Sequence, residues 1–153
     1  MNEYCTGHIG VCCDITDEGA PQRVAAEAFE SFGGVDIVVN NAGDTLGVTD
    51  PFCPISDWRK LWRLNCEVHV ELNNLVLPYM IKQKWGRIVN ISSLAGVENS
   101  GPVPFCATKA AFTAYTRCMG RVLAPDGVVM SALLPGVVMT ERGNWADVLV
   151  TRP

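Results

Sequence analysis

The stretch "VDIVVNNAG", residues 35–43, reads as a buried strand that ends in a turn. Its apolar residues run on instead of alternating with polar ones. That is the pattern of a strand covered on both faces, as in a parallel sheet. At its end Ala42 and Gly43 are small enough for the backbone to approach a flat or anionic ligand closely. A plain strand-ending turn is the simpler alternative.

The same alternation continues on both sides. Upstream, "TDEGAPQRVAAEAFESFGG" (16–34) places Val24, Ala25, Ala28, Phe29 and Phe32 at helical spacing and stops at Gly33–Gly34. Before it, "HIGVCCDI" (8–15) is a short apolar run, expected to form a strand. Downstream comes a Pro/Gly/Asp-rich loop, residues 43–55. A helical pattern then runs from 56 to about 84, with Ser56 as a candidate cap and Pro78 near its end. "WGRIVNISS" (85–93) is a turn glycine and a strand. "PFCATKAAFTAYTRCMGRVLA" (104–124) is a helix with Pro104 suited to its first turn. "PDGVVMSALLPG" (125–136) is a turn and another strand. The order βαβαβαβ predicts one α/β domain over 1–153, with a parallel sheet and right-handed crossovers.

Composition fits this picture. The chain has 153 residues, 48% of them apolar and 18% charged, as in ordinary globular proteins. Its 12 Lys and Arg are scattered and the net charge is −4, which argues against a nucleic-acid groove or a polybasic membrane patch. The longest apolar stretch, "GVVMSALLPGVVM", is too short to span a bilayer, and "MNEYCTGHIG" lacks the form of a signal peptide. A cytoplasmic location is the expectation. Seven cysteines, at 5, 12, 13, 53, 66, 106 and 118, include no C-x-x-C. With two histidines, His8 and His69, no zinc spacing can be drawn, and reduced core thiols are the expected state.

Ligands of parallel sheets bind at the carboxyl ends of the strands. Here those ends carry "CDITD", "NNAG", "ISS" and "PGVVMT". Together with Asn65 in "RLNC" and Lys109 in "FCATKAA", these motifs resemble the short-chain dehydrogenase/reductase family from about residue 10 to 140. The resemblance implies a partial Rossmann-like, doubly wound sheet. It implies hydride transfer between NAD or NADP and a small-molecule carbonyl or alcohol substrate. It implies that Asp14 and Ile15 lie beside the adenine, and that Asn41, Ala42 and Gly43 contact the cofactor near the adenine ribose. Ser93 matches the serine that holds the substrate oxygen. Asn65 matches the asparagine that kinks its helix and holds a water in a proton relay; a buried structural amide is the alternative. Lys109 matches the lysine that binds the nicotinamide ribose. Pro135, Gly136, Val138 and Thr140 match the segment around the nicotinamide. Asp14 could also cap the following helix, a task Asp17 can take over.

In that family a tyrosine four residues before the lysine transfers the proton. On a helix, positions i and i+4 share a face, so the ammonium can lower the phenol pKa from about 10. In this chain the position holds Phe105, whose ring carries no proton to give. Tyr115 lies ten positions further on, about 280° around the helix, so it faces elsewhere. Tyr79 is near the far end of its helix, and Cys106 is turned off the face. The Ser93–Phe105 interval of 12 is one shorter than is common in the family. Hydride transfer is therefore expected to be impaired or absent.

The family's glycine-rich pyrophosphate turn has no clear counterpart. "TGHIG" (6–10) resembles it but lacks a strand before and a helix after, so it is read as chance. The sequence is read as a fragment lacking the first two strands and the last. The three helices that remain belong on one face, so an apolar sheet face is expected to be left open. The alternative function is a non-catalytic interaction module. Helices 56–84 and 104–124 match those that pair family members into oligomers, and Ala107, Ala110, Ala111, Ala114 and Cys118 form a stripe of small residues on the second. A homo-oligomer is the expected state.

Overall fold

The computed structural model describes residues 7–138. Helix α1 (Ala20–Phe32) leads to strand β1 (Ile37–Asn40). Helix α2 (Ile55–Trp62), a π-helical turn (Arg63–Glu67) and helix α3 (Val68–Gln83) follow without a break. Strand β2 (Gly86–Ile91), the short helix α4 (Ala95–Glu98), helix α5 (Val103–Leu123), a 3₁₀ turn (Ala124–Asp126) and strand β3 (Val128–Leu133) complete the order. The sheet is parallel, in the order β1-β2-β3, with Val39 opposite Val89 and Val89 opposite Ser131. This is the α/β parallel architecture expected of the sequence.

Three local expectations are corrected. Residues 8–15 form no strand. A strand holds only through its ladder, and this run does not pair with the free edge of β1. Side chains tie the segment down instead: Arg23 donates to Cys12 O at 2.8 Å, and Arg63 Nε to Thr16 O at 3.0 Å. Asp17 does not cap α1 through its side chain. Gly19, in the left-handed region, stands at the N-cap, and Pro21 starts the helix with a preset φ. Ser56 likewise caps nothing, because α2 begins one residue earlier after Pro54.

The helices cover one face. Val38 of β1, Ile88 of β2 and Val128 and Met130 of β3 meet Val76, Leu77 and Met80 of α3 and Leu123 of α5. Phe29 of α1 packs against the edge of this core, its ring 5.7 Å from that of Tyr79. The other face is open. Ile37 and Val39 are each 60% exposed, Leu133 is 56% and Val129 is 49%. Parallel strands normally have both faces covered, so the apolar face expected from the sequence is present.

A buried polar ladder crosses the core below the strand ends. Asn40 Nδ2 donates to Asn73 Oδ1 at 2.8 Å and to Asn90 Oδ1 at 2.7 Å. Asn90 Nδ2 donates to Thr116 Oγ1 at 2.9 Å. The ladder links β1, α3, β2 and α5 through groups that are costly to bury unpaired.

Candidate functional site

The carboxyl ends of the three strands open into one cleft of about 720 Å³. Gly43, Ser93, Phe105, Pro135, Gly136 and Val138 are among its walls. The ladder continues past β2 and β3 to shape it: Ser92 N donates to Leu133 O at 2.8 Å, and Leu94 N to Pro135 O at 3.0 Å. Ser93 is thereby held beside the Pro135–Gly136 segment. Its Oγ accepts from Ala95 N at 3.1 Å. The neighbouring Ser92 is buried and bonds to Lys109 O and Thr113 Oγ1, at 2.9 and 2.6 Å. Of the two hydroxyls in "ISS", the first therefore anchors β2 to α5 and the second lines the cleft.

The π turn explains Asn65. A π turn shifts the backbone donors by one residue and leaves a carbonyl in need of a partner. Asn65, within the turn, donates from Nδ2 to Leu61 O at 3.0 Å and to Asp44 O at 2.8 Å. Its Oδ1 accepts from Asp44 N at 3.2 Å. Asn65 is fully buried and clamps the chain just after "NNAG". The helix is thus locally distorted at Asn65, and the structural-amide alternative is also realised in its side chain.

Lys109 enters from α5 and is only 4% exposed. Its Nζ donates to Ile91 O at 3.0 Å and lies 5.7 Å from the centre of the Phe105 ring. Gly43 binds these parts together. A Cβ there would stand 2.9 Å from both Asn65 Oδ1 and Lys109 Nζ. The sequence suggested that Gly43 makes room for a ligand; in the structure its missing side chain is displaced by the protein's own amide and amine. Gly96 plays a similar part for α4, where a Cβ would come within 2.7 Å of the α5 backbone at Ala110.

Burial sets the local electrostatics. It lowers the Lys109 pKa from the usual lysine range, opposed in part by Cys66. It raises the Cys66 thiol, with Glu67 adding to the effect. It pushes His69 down to about 4. His69 is neutral at ordinary pH, stacks on Phe112 at 5.0 Å, and has Nε2 2.8 Å from Ala42 O. The neutral ring serves as donor to that carbonyl, holding the "NNAG" turn from below.

Other expected residues stand apart from this centre. Asp14 Oδ1 accepts from Thr16 N and Thr16 Oγ1, at 2.8 and 2.7 Å, closing a local turn. These bonds lower its pKa. Ile15 is half-buried, Asn41 is exposed, and neither lines the cleft. Thr140 lies outside the described residues. Tyr115 faces the core, where its hydroxyl is 3.4 Å from Asn73 Nδ2, and Cys106 is buried. Four supporting residues were not singled out from the sequence: His69, Asn73, Asn90 and Arg63. The three that belong to the core share one signal, a polar side chain interrupting an apolar run. Arg63 instead pairs with Glu71 and ties the Thr16 loop to the helix.

A parallel α/β sheet with its cleft at the carboxyl ends of the strands defines the class of open-sheet α/β proteins, whose ligands bind at those ends. Comparison with known proteins gives the family. The family model for short chain dehydrogenases matches residues 2–146, and the chain belongs to that family. It is 34% identical over 141 residues to a 3-oxoacyl-(acyl-carrier-protein) reductase of Aquifex aeolicus, covering 92% of this chain and 57% of that protein. It is 34% identical over 128 residues to a 2-dehydro-3-deoxy-L-rhamnonate dehydrogenase (NAD(+)) of Sphingomonas, covering 82% and 51%. A crystal structure of a short-chain dehydrogenase from Streptomyces avermitilis superposes with a TM-score of 0.77 at 30% identity, covering 86% of this chain and 49% of that one. The chain spans about half the length of these relatives. No helix among the described residues is long and apolar enough to cross a membrane.

Proposed function

We propose that this chain carries the nicotinamide and substrate side of an NAD(P)-dependent oxidoreductase acting on a small ketone or alcohol, with proton transfer impaired at Phe105. The observation that carries this reading is the convergence of Gly43, Asn65 and Lys109 beside a cleft walled by Ser93 and Phe105. The residues fit a nicotinamide nucleoside. One Lys109 N–H is used by Ile91 O, leaving its other hydrogens for ribose hydroxyls. The Pro135–Val138 segment lines the same cleft, and its backbone groups would be offered to a carboxamide. Asp14, Ile15, Asn41 and Ala42 would reach the adenine side, and Thr140 the nicotinamide.

When bound, the cofactor supplies the hydride. Ser93 would hold the substrate oxygen, its Oγ–H being uncommitted among the described residues. Lys109 would hold the ribose. Asn65 would keep the turn after "NNAG" in place and preserve the helix distortion through which a water can be held. Phe105 stands where a proton donor is needed and fills the space with a ring. A general acid or base contributes about 10²–10⁴-fold, so the residual rate would be low by that order.

Isothermal titration with NADH and with NADPH tests the reading. Weak, saturable heat with at least one of them is expected, and lost when Lys109→Met is titrated. No heat and no thermal shift with either nucleotide would overturn it.

A second reading, a non-catalytic homo-oligomeric module, is favoured by one observation. Ala107, Ala110, Ala114 and Cys118 of α5 are exposed instead of packing on the sheet, and Ile55 and Trp62 of α2 are exposed as well. Both helices that would pair two copies thus present apolar or small side chains to solvent.

A further inference from the structure

The charged side chains around the cleft are of one sign. Among the described residues that line it, Asp44 and Glu98 are the charged ones, and both are acidic. Lys109 is not one of its walls and bonds to Ile91 O. Much of the remaining wall is apolar, with Leu94, Pro102, Phe105 and Val137. Both acids are anchored through their backbones. Buried Asn65 accepts from Asp44 N at 3.2 Å and donates to Asp44 O at 2.8 Å, and Asp44 Oδ1 accepts from Leu46 N at 2.9 Å. Glu98 ends α4, its N–H donating to Leu94 O at 2.8 Å, and α4 lies tightly on α5 at Gly96.

We infer that this cleft selects uncharged carbonyl compounds with an apolar flank and turns away those bearing a carboxylate or phosphate, with Asp44 and Glu98 as specificity-determining residues. The inference rests on reading the cleft as the substrate site and narrows the substrate class. Two effects act in the same direction. An anion would lose water against apolar walls without gaining a cationic partner among them. It would also meet like charge, a repulsion that discriminates against the wrong ligand. An uncharged ketone meets neither obstacle. Its oxygen can take the Ser93 hydroxyl, and its flank can lie against Phe105, where a tyrosine would bring a hydroxyl instead. Glu98 is exposed, so water and salt weaken its share, and the discrimination should shrink as salt rises.

The test is a pair of matched ketones, 4-acetylbenzamide and 4-acetylbenzoate, which have nearly the same shape and differ in charge. Each is titrated into the whole chain without nucleotide, by ligand-observed NMR at low salt. The amide is expected to bind about tenfold tighter or more, an anion's lost hydration and the repulsion adding together. Two variants assign the effect to the cleft. Asp44→Asn keeps the acceptor for Leu46 N while removing the charge, and should narrow the gap. Glu98→Lys should narrow it by about fivefold or more, since a repulsion is replaced by an attraction. Circular dichroism checks that both variants fold. Equal or tighter binding of the benzoate, a gap unchanged in both variants, or no binding of either ketone would overturn the inference. Nucleotide is absent from these titrations, so failure here and failure of cofactor binding are separately visible.

Discussion

Phe105 and Lys109 sit one helical turn apart on α5, with the ammonium 5.7 Å from the ring centre. The two form a cation–π contact, which is worth about 0.5–1 kcal/mol at exposed sites and more when desolvated. It cannot move a proton. Restoring the oxygen should therefore change rate far more than stability. For Phe105→Tyr we expect turnover of a ketone with reduced nicotinamide to rise by about 10²-fold or more at saturating cofactor. Absorbance of the reduced nicotinamide follows it directly. An unchanged rate would show that position 105 is not where the missing proton belongs.

Among the elements, the π turn and the asparagine ladder fix the site. The ladder joins two strands to two helices through Asn40, Asn73, Asn90 and Thr116. Asn90→Leu would strip Asn40 of one acceptor and Thr116 of its donor. A loss of about 1–3 kcal/mol is expected from groups left unpaired in the core, read as a lower urea midpoint with unchanged slope. His69 gives the same region a pH dependence. In the folded chain it resists protonation down to about 4, whereas an unfolded histidine protonates near 6.5. Between these values the unfolded chain binds more protons. Stability is then full above about pH 6.5, declines as pH falls toward 4, and loses at most about 3 kcal/mol from this group. Urea midpoints measured across that window should drop with acid, and His69→Gln should flatten the drop.

On the scale of the molecule, exposed apolar surface dominates. One sheet face shows Ile37, Val39, Val129 and Leu133 to solvent, and the outer side of α5 shows a stripe of small residues. Surfaces of this kind are usually covered by a partner. The two surfaces predict different behaviour under substitution. If α2–α3 and α5 pair two copies, Ala110→Glu should convert a dimer to a monomer in sedimentation velocity while leaving the circular dichroism unchanged. A wild-type chain that is already a strict monomer would remove the pairing.

The sequence by itself determined the three long helical stretches, three of the strands, their parallel sense and the resemblance to the family, but not the short helix Ala95–Glu98 or the π turn at Arg63–Glu67. Those follow from the periodicity of apolar residues and from motifs that fall at strand ends, both of which are local. "VDIVVNNAG", "GRIVNISS" and "GVVMSALL" are legible because a strand buried on both faces has to be continuously apolar. "HIGVCCDI" has similar character and forms no strand, because pairing with a neighbour is a tertiary contact that no local pattern records. The tertiary structure alone decided that Gly43 is filled from inside by Asn65 and Lys109, and that Ser92 anchors β2 to α5. It also decided that Asn73 and Asn90 share a ladder with Asn40. These are contacts between residues far apart in the chain, set by how helices lie on the sheet, and spacing along the sequence does not encode that distance.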